Sequence, residues 1–365
     1  MNISTKTPGK LIILGEYAVL EGAPSLVAST NRFANAIFKK SEDGVFKIKA
    51  PSINVPLLNF LIDEEGKVKF IDKSFEKVME KLSFFVAIFE HTARKLIEKG
   101  LKIPPLEIFL DTYDFYYTKS LFKLGLGSSA AVTVSLITGL LASNIVDPKE
   151  ISRETILKLA LDSHKKAQGN IGSGIDIVTA VYGGILKYQI KDNEISFKRL
   201  KMPDNLFYLT VWSGKSASTT GYVKKFYEYK KKSPKEFNNL VDKMTQTSSE
   251  GIEAFENQDL EKFLLKYDEY YHLLNSLNHN LSIPVITDEH KLIHDICHHH
   301  GVVYKSSGAG GGDLGIAFSV SKEKLDIVAE ELKHLNFDTL EIEFGIDGLN
   351  EEIPMREEYA KFSYS

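Results

Sequence analysis

FKLGLGSSAAVTVSLITGLLA, residues 122–142, sets a glycine-serine loop directly against an apolar helix. Gly125-Leu126-Gly127-Ser128-Ser129 carries little side-chain bulk, so its backbone can approach a ligand closely and turn several N–H groups outward. From Ala130 and Ala131 through Val132, Val134, Leu136, Ile137, Leu140 and Leu141 the apolar residues cover most of a helical circumference, which predicts a buried helix. Its unpaired N–H groups and positive dipole end fall at Ser128 and Ser129. That is a site for an anion. Hydroxyls beside such a loop also bind a divalent cation held by phosphate oxygens, so the natural ligand is a nucleoside triphosphate with magnesium.

Other readings of the loop exist. Glycine-rich turns before buried helices are common, and the loop alone does not decide between a turn and a phosphate site. Gly125, Gly127 and Ala130 also satisfy the G-x-G-x-x-A dinucleotide fingerprint. That pattern needs an apolar strand before it, and YDFYYTKSLFK is not one. The P-loop consensus is absent: Gly214-Lys215-Ser216 ends like one but has Leu209 in place of the first glycine.

At 365 residues the length suggests about two domains, and 43% hydrophobic with 26% charged residues is an ordinary globular balance. A net charge of -4 gives no reason to expect nucleic acid or an anionic membrane as partner. The single cysteine, Cys297, has no internal disulfide partner; with no signal-like N-terminus, a cytoplasmic location is expected. The longest apolar run is short for a bilayer and carries Thr133, Ser135 and Thr138.

Along the chain, LIIL (11–14) reads as a short strand presenting Lys10 and Glu16 near its two ends. Taken alone, a lysine there is more often a solvated charge. Residues 24–38, 45–49 and 106–113 read as further strands, 74–99 as a helix ending at Gly100, and 63–66 as a turn. Lys123 stands two residues before Gly125, within reach of a bound phosphate. A helix over 150–168 is followed by a glycine turn ending in Ser173-Gly174-Ile175-Asp176; a carboxylate there is commonly just an N-cap. Residues 185–190 and 206–212 alternate like strands, the second leading into the hydroxyl-rich stretch 213–220. Residues 234–280 read as a helical pair broken near Glu250-Gly251, and 287–300 as a helix. His294, Cys297 and His298 have the i, i+3, i+4 spacing of metal ligands, but histidines at a helix C-terminus are explained by the dipole. A second glycine loop, a strand 314–320, a helix 321–335 and a strand 339–344 follow, suggesting a compact α+β unit with a loose tail after Gly348.

PGKLIILGEYAVLEG (8–22), GLGSSAA (125–131) and KSSGAGGGDLGIAF (305–318) together resemble, in order and spacing, the three motifs of the GHMP small-molecule kinases, over almost the whole chain. The resemblance implies an α+β fold of two domains: an N-terminal ATP-binding domain of mixed sheet and helices (1–190), and a ferredoxin-like C-terminal domain (191–365) across an active-site cleft. It implies ATP and Mg2+ as cofactors, with Gly125, Leu126, Gly127, Ser128, Ser129 and Ala130 on the nucleotide and Ser129 on the metal. Lys10, Asp176 and Lys123 would be catalytic. Ser173, Gly174, Ser216, Ala217, Ser218, Thr219, Ser307, Gly308, Ala309 and Gly310 would face the acceptor. Within the family the segments AQGNIGSGIDI and WSGKSAST are most similar to the branch whose acceptor is phosphomevalonate, in the mevalonate pathway of isoprenoid biosynthesis. The neighbouring branch phosphorylates a hydroxyl, that of mevalonate; it carries a metal-binding glutamate eleven residues before its catalytic aspartate, where this chain has Lys165. Leu314 departs from the cysteine frequent in the phosphomevalonate branch. A catalytically silent metabolite-binding protein on the same fold is the alternative outside enzymes.

Overall fold

The computed structural model describes residues 2–120, 122–144, 151–169, 172–192, 194–216 and 219–352. Strands β1 (Asn2–Leu14), β2 (Ser25–Lys40), β3 (Phe46–Ala50), β4 (Val55–Ile62) and β5 (Val68–Phe70) precede helix α1 (Met79–Glu98). β6 (Leu106–Asp111) leads through the glycine loop to α2 (Ser128–Ala142), α3 (Arg153–Ala167) and α4 (Ile175–Tyr182), then to the hairpin of β7 (Ile185–Lys191) and β8 (Glu194–Leu200). There follow β9 (Phe207–Trp212), α5 (Thr219–Lys232), α6 (Pro234–Glu256), α7 (Leu260–Leu281), α8 (Asp288–His299), β10 (Val303–Ser306), β11 (Leu314–Ser319), α9 (Lys322–His334), β12 (Asp338–Leu340) and β13 (Asn350–Glu352).

Two sheets organise these elements. The first has the order β13-β1-β2-β6-β3-β4-β5, with β7 and β8 branching from β2; β3 and β6 run parallel within it, which makes the sheet mixed. The second is β10-β11-β9-β12, antiparallel. Its chain order of strand, helices, two strands, helix and strand is the ferredoxin-like pattern, with α5 to α8 filling the first crossover. The α+β class expected from the sequence is the one observed. Residue 190 lies in β7, whose hairpin partner β8 stays with the first sheet.

Helix α2 is the core helix that its composition predicts. Twelve of its residues are buried, and Gly139 lets it lie against the ring of Phe38 in β2. Its polar residues are satisfied locally: Thr133 and Thr138 donate to the carbonyls one turn back, and Ser135 bonds Thr7 across to β1 at 2.7 Å. A continuous apolar core joins β1 and β2 to α5, α6, α7 and the second sheet, through residues such as Leu14, Trp212, Phe226 and Leu274.

Several boundaries differ from expectation, each for a physical reason. β1 begins at Asn2, well before residue 11, so Lys10 lies inside a strand; Pro8 is tolerated because the register shifts between Pro8 and Gly9. The helical pair breaks at 257–259, where Asp259 caps α7 by accepting from Lys262 N, and not at Gly251. Gly251 is inside α6, where a methyl would come within 2.6 Å of Leu14. β12 stops at Leu340. The tail after Gly348 is held at first, by buried Leu349 and by β13 pairing with β1.

Candidate active site

A cavity of about 570 Å³ opens where α2, α3, α4 and β1 meet the second glycine loop. That volume suits a small-molecule site. Gly125 and Gly127 both take positive φ, 73° and 75°, and no side chain caps the start of α2, so Ser128 and Ser129 offer the uncapped end of its dipole to the cavity. Lys10 donates its backbone N–H to Leu126 O at 2.8 Å, which locks β1 to the loop and runs the Lys10 side chain over Gly127. Burial pushes the Lys10 ammonium below the ordinary lysine range, against the pull of Asp176, Asp313 and Glu16.

Asp176 is the second residue of α4, whose N-cap is Gly174, so its carboxylate is not the cap of that helix. One of its oxygens accepts from Ile177 N at 3.0 Å and the other stands 4.0 Å from His164 Nε2. His164, reaching in from α3, meets Ser129 Oγ at 3.2 Å through the same Nε2, so the imidazole stands between the loop hydroxyl and the carboxylate. Ser173 and Gly174 line the same wall, and the Tyr188 hydroxyl fixes their turn by donating to Ser173 O.

The second glycine loop closes the cavity through Gly308, Ala309 and Asp313. Asp313 packs against Gly125, where any side chain would collide with its carboxylate, and holds a positive φ of 61°. Three ties bind this loop and the end of β10 to β1 and the turn that follows it. Tyr17 Oη donates to Ala309 O; Ser307 Oγ accepts from Ile12 N (3.0 Å) and donates to Ile12 O (2.8 Å); and Lys305 forms a fully buried ion pair with Glu16. The other carboxylate oxygen, Glu16 Oε2, is buried and has no hydrogen-bond partner among the described residues.

Of the residues singled out in the sequence, Lys10, Lys123, Asp176, Gly125 to Ser129, Ser173, Gly174, Gly308 and Ala309 converge on this cavity. Ala130 lies beneath it in the core, and Ser307 is spent on Ile12, so neither presents a group to the cavity. Gly310 is packed on Val285. Ser216 is exposed away from the cavity lining, Thr219 opens α5, and Ala217 and Ser218 lie outside the described residues. His164 and Lys305 were missed; the sequence signals each only as one polar residue in an otherwise ordinary helix or strand. Cys297, grouped with two histidines by spacing, points into the core beside Ile293 and Tyr304, and burial pushes its thiol up to about 12.

Residues 85–184, the segment that includes the loop, α2, α3 and Asp176, match the family model for the GHMP kinases N terminal domain. This segment is similar to the N-terminal domain of the GHMP kinases. The chain is 25% identical over 345 residues to a phosphomevalonate kinase of Streptomyces sp. (strain CL190), covering 88% of this chain and 90% of that one. It is equally 25% identical over 337 residues to a mevalonate kinase of Thermococcus sibiricus, covering 91% and 93%. The fold is that of the Streptococcus pneumoniae phosphomevalonate kinase solved with phosphomevalonate and AMPPNP, with a TM-score of 0.76, 21% identity, and coverage of 93% of this chain and 99% of that one. Among the described residues no helix is long and apolar enough to cross a membrane.

Proposed function

We propose that the chain is a GHMP kinase that transfers the γ-phosphoryl group of ATP to the phosphate of phosphomevalonate, giving the diphosphate. The observation that carries the reading is the set of three lysines, Lys10, Lys123 and Lys165, that line the same cavity as Ser128 and Ser129 at the uncapped start of α2. Bringing a phosphate monoester up to a triphosphate places two anions side by side, and such a reaction is limited by positioning and charge. Lys165 is an added cation where the hydroxyl-acceptor branch has a glutamate.

The residues present fit a magnesium nucleotide: small side chains along Gly125 to Ser129, hydroxyls at Ser128 and Ser129, and carboxylates at Glu16, Asp176 and Asp313 on the same cavity. Ser129 would hold the cation together with phosphate oxygens, and the ion supplies neutralisation of the triphosphate when bound. Lys10 offsets the charge repulsion between acceptor and donor. An oxygen of the acceptor phosphate forms the new bond to the γ-phosphorus, and the bond to the β-phosphate oxygen breaks with ADP leaving. A phosphate monoester, with a second pKa of about 6, is already largely dianionic at neutral pH, so no proton has to be removed. Asp176 therefore orients Lys10 and the acceptor, with His164 holding the carboxylate and Ser129 in register.

The similarity to named mevalonate kinases, equal in identity, favours a second reading with a hydroxyl acceptor, in which Asp176 would be the base. A coupled ADP-release assay with ATP and magnesium separates the two. Turnover with phosphomevalonate and none with mevalonate is expected. Turnover with mevalonate alone would establish the second reading, and silence with both while ATP binds would point to another acceptor or a metabolite sensor.

A further inference from the structure

The histidine cluster of the C-terminal half is not where its spacing in α8 places it. Asp268 and His272 stand one turn apart on α7, and His294 reaches them from α8, so that one ligand atom from each lies within 4.8 Å of the others. We propose that Asp268, His272 and His294 form a zinc-class transition-metal site that clamps α7 to α8. The site lies outside the cavity described above and does not depend on the kinase reading.

Four observations support it. The first is distance. Ligands around a tetrahedral zinc, with bonds of about 2.0–2.1 Å, stand about 3.4 Å from one another. Asp268 presents Oδ1 to His294 Nε2 at 3.4 Å and Oδ2 to His272 Nε2 at 3.6 Å, and with one ligand atom taken from each residue all three lie within 4.8 Å, a spread that small side-chain rotations bring to the tetrahedral value. The second is orientation. His294 turns Nε2 to the cluster while its other nitrogen, Nδ1, is held by Asp295 Oδ1 at 3.3 Å, the carboxylate–histidine arrangement that fixes the tautomer of a metal-bound imidazole. The third is preorganisation. The His294 ring is buried and stacked flat on Tyr271, with centroids 3.7 Å apart and planes at 5°, so one ligand is immobile before any metal arrives. The fourth is access. The side chain of His272 is 63% exposed and that of Asp268 26%, which leaves an open side for an ion to enter and for water to complete the coordination. Two imidazoles and one carboxylate match zinc, cobalt or nickel and not magnesium, which takes oxygen ligands.

The clamp would bear on the second glycine loop. From the N-terminal turn of α8, His290 contacts Gly312 O at 2.9 Å through Nε2 and Tyr304 Oη at 2.7 Å through Nδ1. Fixing α8 against α7 thus fixes the support on which the loop rests.

The test uses the full-length, untagged, metal-stripped protein. Cobalt(II) is titrated while visible absorption is recorded, and thermal unfolding is followed with and without zinc. One equivalent of cobalt with ligand-field bands is expected, together with a zinc-dependent rise in Tm of several degrees. His272→Ala removes an exposed ligand with little risk to folding, and should weaken binding at least about tenfold and abolish the Tm shift. His299→Ala, in the exposed histidine run, should match the wild type. Absence of saturable one-to-one binding would overturn the site. So would equal affinity in the wild type and His272→Ala, which would mean that other surface histidines bind the metal.

Discussion

The two glycine loops border one cavity, yet their glycines are there for different reasons. In the first, Gly125 makes room for the Asp313 carboxylate and Gly127 for the flexible stem of Lys10, and the backbone runs on into the uncapped start of α2. In the second, side chains at Gly310 or Gly311 would strike Val285 or Tyr222, and one at Gly312 would lie 2.7 Å from Lys215 O. Gly308 alone has open space in front of it. The first loop is small for the sake of charged groups in the site, the second largely for the sake of its own packing. Glycine content announces close approach; only the structure says what approaches.

The contrast implies that changes at the first loop should appear in rate and changes at the second in stability. The largest effect is expected for Lys10→Met, which removes the cation threaded over Gly127: about a thousandfold loss in kcat or more, with unfolding unchanged to within about 1 kcal/mol. Near-normal turnover would remove Lys10 from the chemistry. Gly310→Ala combines a φ of 81° with a collision against Val285 and should cost about 3 kcal/mol in urea unfolding, whereas Gly308→Ala, with φ 89° but open space, should cost about 1 kcal/mol. Equal losses at the two positions would break the distinction.

The second loop should also make stability pH-dependent. Burial lowers the pKa of His290, which holds Gly312 O, from 6.5 to about 4. Between those values the unfolded chain takes up a proton that the folded chain refuses, so stability falls as pH drops from 6.5 towards 4 and is unaffected by this group above 6.5. The full effect approaches about 3 kcal/mol at the acid end, at about 1.4 kcal/mol per pH unit. Denaturant unfolding at a series of pH values checks it: His290→Gln should lose this part of the slope, and an unchanged slope would contradict it. The smallest effect, in the first region, is expected for Asp176→Asn. If the carboxylate orients Lys10 and the acceptor, kcat falls by about tenfold to a hundredfold and the pH–rate profile keeps its shape. Loss of an acidic limb in the variant would instead make Asp176 a base.

Much of this was legible in the sequence because the decisive segments are locally consistent. The apolar run after Ser129 has no polar face, so it had to be a core helix, and the order of the three glycine motifs identified the fold before any packing was known. What was not legible depends on partners far along the chain. β8 is mostly exposed, and Ile195 and Phe197 alternate with polar residues for only five positions before Lys198-Arg199 ends the pattern, while Lys10 reads as a surface charge until β1 is extended through it. Gly251 looks like a helix break until Leu14 is set against it. The spacing in α8 proposed Cys297 beside His294, but helix rotation sends the thiol inward and leaves His294 to Asp268 and His272, residues of another helix. Ser307 looked like a substrate hydroxyl because nothing in its neighbourhood reveals that Ile12 consumes both its donor and its acceptor.

The central claim, that a phosphate rather than a hydroxyl receives the transferred group, is tested most directly by 31P NMR of the product formed from ATP, magnesium and either acceptor. With phosphomevalonate, the monoester resonance should give way to the coupled pair of a diphosphate ester as ADP appears, and mevalonate should remain unchanged. A new monoester signal from mevalonate, with phosphomevalonate left intact, would contradict it.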